Sequence, residues 1–568
     1  MLRKLTAGTT MTKRSRTDVG STDVTRGGIT TDGVTNEDDA VIVKRRPTLR
    51  GVLVVGARTT SGLIGVAAAV AVVIAAATLP IPSWSTTAPS MVVTPEAATS
   101  RLVCTGAPLR LADDTGADAS TASAIATPRT VIAGDGAVSV QPIEQSNAGT
   151  GGTDDAPIVL SIDPGADGGL RLAAGAQSSL VTSGNVQGLA TQTCAAPSGR
   201  QWLVAGATTT GRTSLLTVVN PTNVPAVIDL EIVTESGPVS APGMAAIDVP
   251  AGSQRVIPLA GFVLEATSIA VRVTSTGGNV VASLQSSVIR TLEPGGLDVS
   301  MPAGEPSTTP MIPGVAIDDG PALAALLDRG TGFEDAITSI RLVAPGEVQA
   351  QAQILIVPDG MTAADAVEQA RQAPVTEGGE GAASAEVDLT VAAPRLIEVD
   401  VPAGRAIDVP VPNMGTGTSS IIVTSTEPVL AAARVTAIGS AGTDVAWLPP
   451  VSTLGPESVV AVPGGVAVPT GPAVPNGVAV PIIADARLSI MNPLDSDAEV
   501  TIEIDGESST VSVPATSAIS VPVEAGSTVR LLGAAGLVAS IVTGGNGMLS
   551  VSGVMPPPAA SRPVTVYP

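Results

Sequence analysis

The 568-residue chain contains no histidine. Its three lysines, Lys4, Lys13 and Lys44, all lie near the N-terminus, and its aromatic side chains are few: Trp84, Trp202, Trp447, Phe262, Phe333 and Tyr567. Cysteine occurs twice, at Cys104 and Cys194. Each absence excludes a chemistry. Without imidazole there is no His-ligated zinc, no Ser-His-Asp or Cys-His nucleophile and no histidine proton shuttle. Without lysine beyond Lys44, Ser-Lys dyads, Schiff bases and phosphate loops of the GxxxxGK[ST] type are excluded from most of the chain. No GxSxG elbow and no GxGxxG run is present. Carboxylates are the acid-base groups that remain.

Charge divides the chain. Residues 1–60 carry a net of +5, whereas the remainder carries −27. Such asymmetry usually reports two environments, and the acidic part repels nucleic acid. The division coincides with Ser61–Leu79, nineteen residues without a charge, close to the ~20 that cross a bilayer as a helix. Pro80 and Pro82 end the run, Trp84 sits where an interfacial aromatic belongs, and Lys44, Arg45, Arg46, Arg50 and Arg58 flank the other side. The positive-inside rule then puts the N-terminus in the cytoplasm and the rest outside. This predicts a disordered cytoplasmic tail over 1–58, a transmembrane helix over 59–80 and an exported part beyond it. A cleaved signal peptide, with Ala75-Ala76-Ala77 as the small-residue site, is the competing reading, but a basic region of about sixty residues is very long for one. Thr30, Thr31 and Thr35 in the tail are candidate phosphate acceptors.

Both cysteines fall on the exported side, where an even, minimal count predicts one disulfide, Cys104–Cys194. Two thiolates without histidine leave a tetrahedral metal shell incomplete. Beyond Ile158 the texture is short β-branched runs broken by Gly, Pro, Asn and Asp, as in SLLTVV (214–219), VIDLEIV (227–233) and VTIEI (500–504). Apolar-polar alternation predicts strands with one buried face, arranged in sandwiches.

A unit recurs three times. Leu216-Thr-Val-Val-Asn220-Pro221 leads to Val249-Pro250-Ala251-Gly252-Ser253; Ile340-Arg-Leu-Val-Ala344-Pro345 leads to Val401-Pro402-Ala403-Gly404-Arg405; Leu488-Ser-Ile-Met-Asn492-Pro493 leads to Val513-Pro514-Ala515-Thr516-Ser517. Pro after Asn ends a strand and opens a turn, because it fixes φ and lacks a ladder donor. Unequal spacing predicts three sandwiches with insertions, a propeller being the alternative. The expected boundaries are 85–205 for a small β domain holding the disulfide, then sandwiches over 206–304, 305–450 and 451–568. Thr362-Ala-Ala-Asp365 resembles a capping box and predicts a helix through AVEQARQA; a second short helix is expected over 321–328. Arg562 to Pro568 is a final strand or a loose end.

Gln201-Trp202-Leu-Val-Ala-Gly, Gly211-Arg212, Asn220-Pro221, the Val-Pro-Ala-Gly-Ser turn and the terminal Val564–Tyr567 resemble an uncharacterised family of actinobacterial envelope proteins that carries only a domain-of-unknown-function label. The resemblance covers roughly residues 100–568. It implies a membrane-anchored or secreted β protein and assigns no catalytic residue.

Candidate sites are sparse. Asp495, Asp497 and Glu499, and separately Asp163 and Asp167, are oxygen-rich turns of the kind that hold Ca²⁺, but neither has EF-hand spacing, and acidic residues favour turns for local reasons. A carboxylate pair of the glycosidase kind is conceivable, although the sugar-stacking aromatics are missing. Trp202 and Trp447 are read as core fillers rather than interface anchors. No catalytic, cofactor-binding or metal residue is assigned, and no cofactor is expected. The sequence thus predicts an all-β, non-enzymatic envelope scaffold or interaction protein, single-pass, with tandem Ig-like sandwiches outside and an envelope protein or the wall as partner. A transmembrane regulator with a modifiable Thr-rich tail and a carboxylate-dependent wall-glycan hydrolase are the alternatives.

Overall fold

The computed structural model describes residues 91–568 apart from 94–97, 112–120, 146–147, 150–152, 183, 331, 373–387, 466, 469–479, 482–484, 557–563 and 567–568. The expected tail and the expected membrane helix over 59–80 lie outside the described residues. Among the described residues no helix is long and apolar enough to cross a membrane.

Three eight-stranded sandwiches follow one another, and all share one strand order. In the second, the strands are Met311–Ile317, Ser339–Ala344, Ala350–Pro358, Arg395–Val401, Arg405–Pro410, Gly417–Ser425, Leu430–Gly439 and Gly442–Leu448. One sheet runs first–sixth–third–fourth and the other fifth–second–seventh–eighth, all pairs antiparallel. The third sandwich, from Glu457–Ala461 to Met548–Gly553, repeats this order strand for strand. The first, from Arg200–Val204 to Glu293–Ser300, repeats it with a shortened fourth strand, Ile247–Val249, and an extra two-residue hairpin strand, Gly237–Pro238. This order is not the immunoglobulin one, in which the first strand joins the second; here the first strand pairs with the sixth. The Ig-like label is therefore corrected to an eight-stranded sandwich of its own pairing. A propeller is likewise excluded, since each unit is a pair of sheets rather than one blade. Arg200–Val204, expected in the small N-terminal domain, is the first strand of the first sandwich.

The recurring turns have a common physical cause. Asn220 ends a second strand with no exposed surface, and its Nδ2 donates to the carbonyls of Val224, Val249 and Pro250. Asn492 does the same toward Ser496 and Val513. One buried amide thus ties the Asn-Pro turn to the Val-Pro-Ala turn. Ala344 has no amide, and there the Gly404 N–H bonds the Ala344 carbonyl at 2.7 Å. The fourth position of each Val-Pro-Ala turn is left-handed: φ is 59° at Gly252, 65° at Gly404 and 53° at Thr516.

Among the described residues the α-helices fall in the second sandwich. Helix α1, Gly320–Leu327, is capped by Asp319, whose side chain accepts from Ala322 N. Helix α2, Ala363–Gln372, opens on the expected box: Asp365 N donates to Thr362 Oγ1, which donates to Asp365 Oδ2 at 2.7 Å. Ala366 and Val367 pack α2 onto Leu355 and Val357.

Before the sandwiches, an N-terminal module holds small three-stranded sheets, Ser100–Cys104 with Ile158–Ile162 and Ser139–Pro142, and Gly188–Thr193 with Ala173–Val181 and Arg129–Gly134. Cys104 and Cys194 are bonded to each other across a separation of 90 residues, joining these sheets. The terminal strand Val564–Val566 pairs antiparallel with Met91–Val93.

Residues Pro89–Pro568 form a single compact unit. Apolar clusters cross the module boundaries: Trp447, Leu430 and Val343 of the second sandwich pack with Val204, Ile232 and Leu284 of the first, and Leu549 and Val551 of the third join the core of the second. The second and seventh strands of the fifth–second–seventh–eighth sheets are consequently covered on both faces along most of their length. Ser339–Ala344 is buried at all six positions. The expectation of one buried face therefore fails for these strands, and small residues such as Ala431, Ala432 and Ala433 allow the close approach on both sides.

Candidate functional site: a junction of four strands

The eighth strand of each sandwich is an edge strand, and an edge leaves backbone donors unpaired. Here three edges meet. Glu293–Ser300, Gly442–Leu448 and Met548–Gly553 come together with Gly188–Thr193 of the N-terminal module. At their centre lies the Asp444 carboxyl, with no exposed surface. Its Oδ1 accepts from Leu297 N at 3.0 Å and Val445 N at 2.9 Å; its Oδ2 accepts from Leu189 N at 2.8 Å and Leu549 N at 3.2 Å. One side chain thus satisfies a backbone donor from each of four modules. Glycine permits the approach: a Cβ at Gly188 (φ +155°) would lie 2.5 Å from both Asp444 Oδ1 and Leu297 N, and one at Gly296 (φ +134°) 2.4 Å from Val445 N.

Burial pushes the Asp444 carboxyl up to about 8, and the four N–H bonds offset only part of that. Asp298 sits in the adjoining edge strand, also buried, with Ser300 Oγ donating to Oδ2 at 2.8 Å; burial pushes it up to about 7. Thr191 and Ser550 add a bond from the N-terminal module to the third sandwich, Thr191 N to Ser550 Oγ at 2.9 Å.

The boundary between the first two sandwiches is held by a second buried group. Arg341 has no exposed surface. Its Nε and Nη2 grip Asp408 at 2.7 and 2.9 Å, while Nη1 and Nη2 donate to the carbonyls of Gly206, Ile269 and Thr267 in the first sandwich. The Asp408 carboxyl is largely but not fully withdrawn from water, which raises its pKa, but the Arg341 guanidinium outweighs this and holds it below the usual carboxylate range. Arg341 also lies over the Trp447 ring, 4.4 Å from its centroid.

The sequence-predicted positions distribute as follows. Trp202 and Trp447 are 2% and 3% exposed; both are fillers, but Trp447 fills the boundary between two sandwiches rather than the core of its own. Asp497 accepts from Ala515 N, Asp167 from Gly169 N and Asp163 from Thr99 Oγ1, so each serves its own turn or a neighbouring segment. Among the described residues no group of three acidic or cysteine side chains converges as a metal site. Asp444, Asp298 and Arg341 were not anticipated. One signal was available: Asp is depleted in strand interiors, yet Leu297-Asp298-Val299 and Thr443-Asp444-Val445 place it inside the eighth strands of the first two sandwiches, where the third has Leu549-Ser550-Val551.

A family model described as a family of unknown function (DUF5719) matches residues 148–378 and 374–479. The chain belongs to this family. No curated protein matches it. The matched residues contain Leu189, Leu297, Asp444 and Arg341 and stop before most of the third sandwich.

Proposed function

We propose that this member of the DUF5719 family is a non-enzymatic scaffold or interaction protein of a cell envelope. In this reading residues 59–80 anchor it as a single-pass membrane protein, with the tail inside and the β modules outside. The disulfide suits an oxidising compartment, and the acidic exterior suits solubility or a cationic partner.

The observation that carries the reading is the Asp444 junction. Freely hinged modules would leave four edge strands open, whereas here one carboxyl gathers a donor from each. Such fixing is costly in conformational freedom and useful where several surfaces must keep a set spacing. Binding then resides on the loops and outward sheet faces of a rigid body.

The test is in-cell crosslinking of the full chain followed by mass spectrometry of what co-purifies. The tag belongs on the N-terminal tail, because the C-terminal strand Val564–Val566 is hydrogen-bonded into the fold. Reproducible crosslinks from surface loops to an envelope protein support the reading. Hydrolysis of isolated wall by the purified chain would overturn it.

A further inference from the structure

A cleft of about 480 Å³ opens between the first and second sandwiches, walled by Arg212, Ser286 and Ser287 on one side and Asp335, Asp408 and Arg434 on the other. Clefts at domain boundaries with a few converging polar groups are where small ligands bind. Its charges are unequally matched. Asp335 is held by two guanidinium groups, Arg290 Nε at 2.8 Å and Arg212 Nη2 at 2.6 Å, and its carboxyl sits below the usual range although burial alone would raise it. Asp408 is taken by Arg341. Glu334 at the rim accepts from Gly332 N.

Arg434 is left over. No described carboxylate lies within 4.0 Å of it. Its one hydrogen bond is long, Nη2 to the Ile337 carbonyl at 3.4 Å, and its Nε is buried without a partner. Its guanidinium lies 5.7 Å from the centroid of the Trp447 ring. Ser286 Oγ, in the opposite wall, is also buried without a partner. Asp408 and Asp335 act on Arg434 only at longer range; an under-bonded guanidinium is costly to hold in a partly dry site, and a planar carboxylate matches its Nη edge with two parallel bonds. Arg212 and Arg434 line the cleft together with Glu334, Asp335 and Asp408; with Arg290 and Arg341, which stand behind Asp335 and Asp408 as their ion-pair partners, four guanidinium groups meet three carboxylates, a surplus of one positive charge. That surplus fits a monoanion better than a phosphate dianion. The hydroxyls of Thr213, Thr267, Ser286 and Ser287 supply partners for a hydroxylated body.

We propose that this cleft binds a small hydroxylated monocarboxylate of the acidic-sugar class, its carboxylate on the Nη edge of the Arg434 guanidinium and its hydroxyls on the serine and threonine wall. This goes beyond the scaffold reading and does not depend on it.

The test is calorimetric titration of the full-length chain with glucuronate, with glucose and inorganic phosphate as comparison probes. Glucuronate is expected to bind saturably, glucose not at all and phosphate more weakly. Arg434→Gln should weaken glucuronate binding roughly ten- to a hundredfold, the range lost with a charge-assisted pair, and Arg434→Lys should restore part of it. Thr213 is exposed at the mouth; Thr213→Trp fills the opening without touching the ion pairs and should abolish binding while the thermal midpoint stays unchanged. Equal binding of glucose and glucuronate, tighter binding of phosphate, no binding of glucuronate, or unaltered affinity in folded Arg434→Gln and Thr213→Trp chains would each overturn the proposal.

Discussion

Replacing Asp444 with alanine removes a single acceptor on which four backbone donors converge. Leu189, Leu297 and Leu549 N–H belong to three other modules, and Val445 N–H to its own strand. Each lost bond costs about 1 kcal/mol, and more where the donor stays buried and dry. Four bonds give about 4–6 kcal/mol. Two effects reduce this: a water can enter the vacated polar space, and a buried carboxyl with a raised pKa is no longer present. The expected net loss is about 3 kcal/mol, a large part of a typical stability. The loss should also change how the chain unfolds. With the junction intact the four modules melt as one; without it the first and third sandwiches should separate from the second. Guanidinium titration followed by tryptophan fluorescence and circular dichroism measures both, because Trp447 lies in the same strand as Asp444. A midpoint shift worth less than about 0.5 kcal/mol, with a single coincident transition for both probes, would refute the junction as a structural clasp.

Other perturbations have equally definite outcomes. Asp298 and Asp444 have folded pKa values of about 7 and about 8, above the unfolded carboxylate value, so the folded chain retains protons that the unfolded chain has released. Their stabilisation is complete in acid below the unfolded value and is lost progressively as pH rises from there to the folded values of about 7 and about 8, at up to about 1.4 kcal/mol per pH unit and group; thermal midpoints should fall from about pH 4 to about pH 8 and level off above, and Asp298→Asn should reduce the slope below pH 7. Asp335 and Asp408 are shifted down, so their ion pairs weaken only as acid protonates them, which calorimetry below pH 4 would detect as a second decline. Replacing Cys104 and Cys194 together with alanine opens a loop of 90 residues and should cost about 4–5 kcal/mol on the chain-entropy account, read as earlier melting and proteolysis of the N-terminal module. Thr516 occupies the left-handed turn position that glycine fills in the other two copies; Thr516→Gly should stabilise the third sandwich by about 1 kcal/mol, whereas Asn492→Ala, which removes two carbonyl contacts and the Leu494 N–H acceptor, should cost about 2–3 kcal/mol, both measured by denaturant titration.

Turn chemistry was the most legible part of the sequence. Asn-Pro and Val-Pro-Ala mark equivalent corners because local backbone needs dictate them, and those needs do not depend on neighbours. The Thr362–Asp365 box was legible for the same reason. Burial on the second face of the sheets was not. Ser339, Ser420 and Ser489 occupy polar slots in alternating strands, yet all are buried between sheets, since a hydroxyl small enough to tuck beside a backbone does not mark its face. Arg341 and Asp444 were hidden likewise: each occupies a polar slot in an alternating strand, and the partners outside its own strand lie from 67 to 255 residues away in sequence. The Arg434 cleft needs two sandwiches to exist, so no local pattern announces it. The strand order was also beyond local reading, because pairing of the first strand with the sixth joins segments far apart in sequence.

Hydrogen exchange at the Leu189, Leu297, Val445 and Leu549 amides tests the central claim, that one carboxyl locks four β modules into a single body. These amides belong to edge strands, where exchange is ordinarily fast. The account predicts protection equal to that of the core strands, falling together in Asp444→Ala. Rapid exchange of the Leu189, Leu297 and Leu549 amides in the unaltered chain, beside protected sandwich cores, would contradict it.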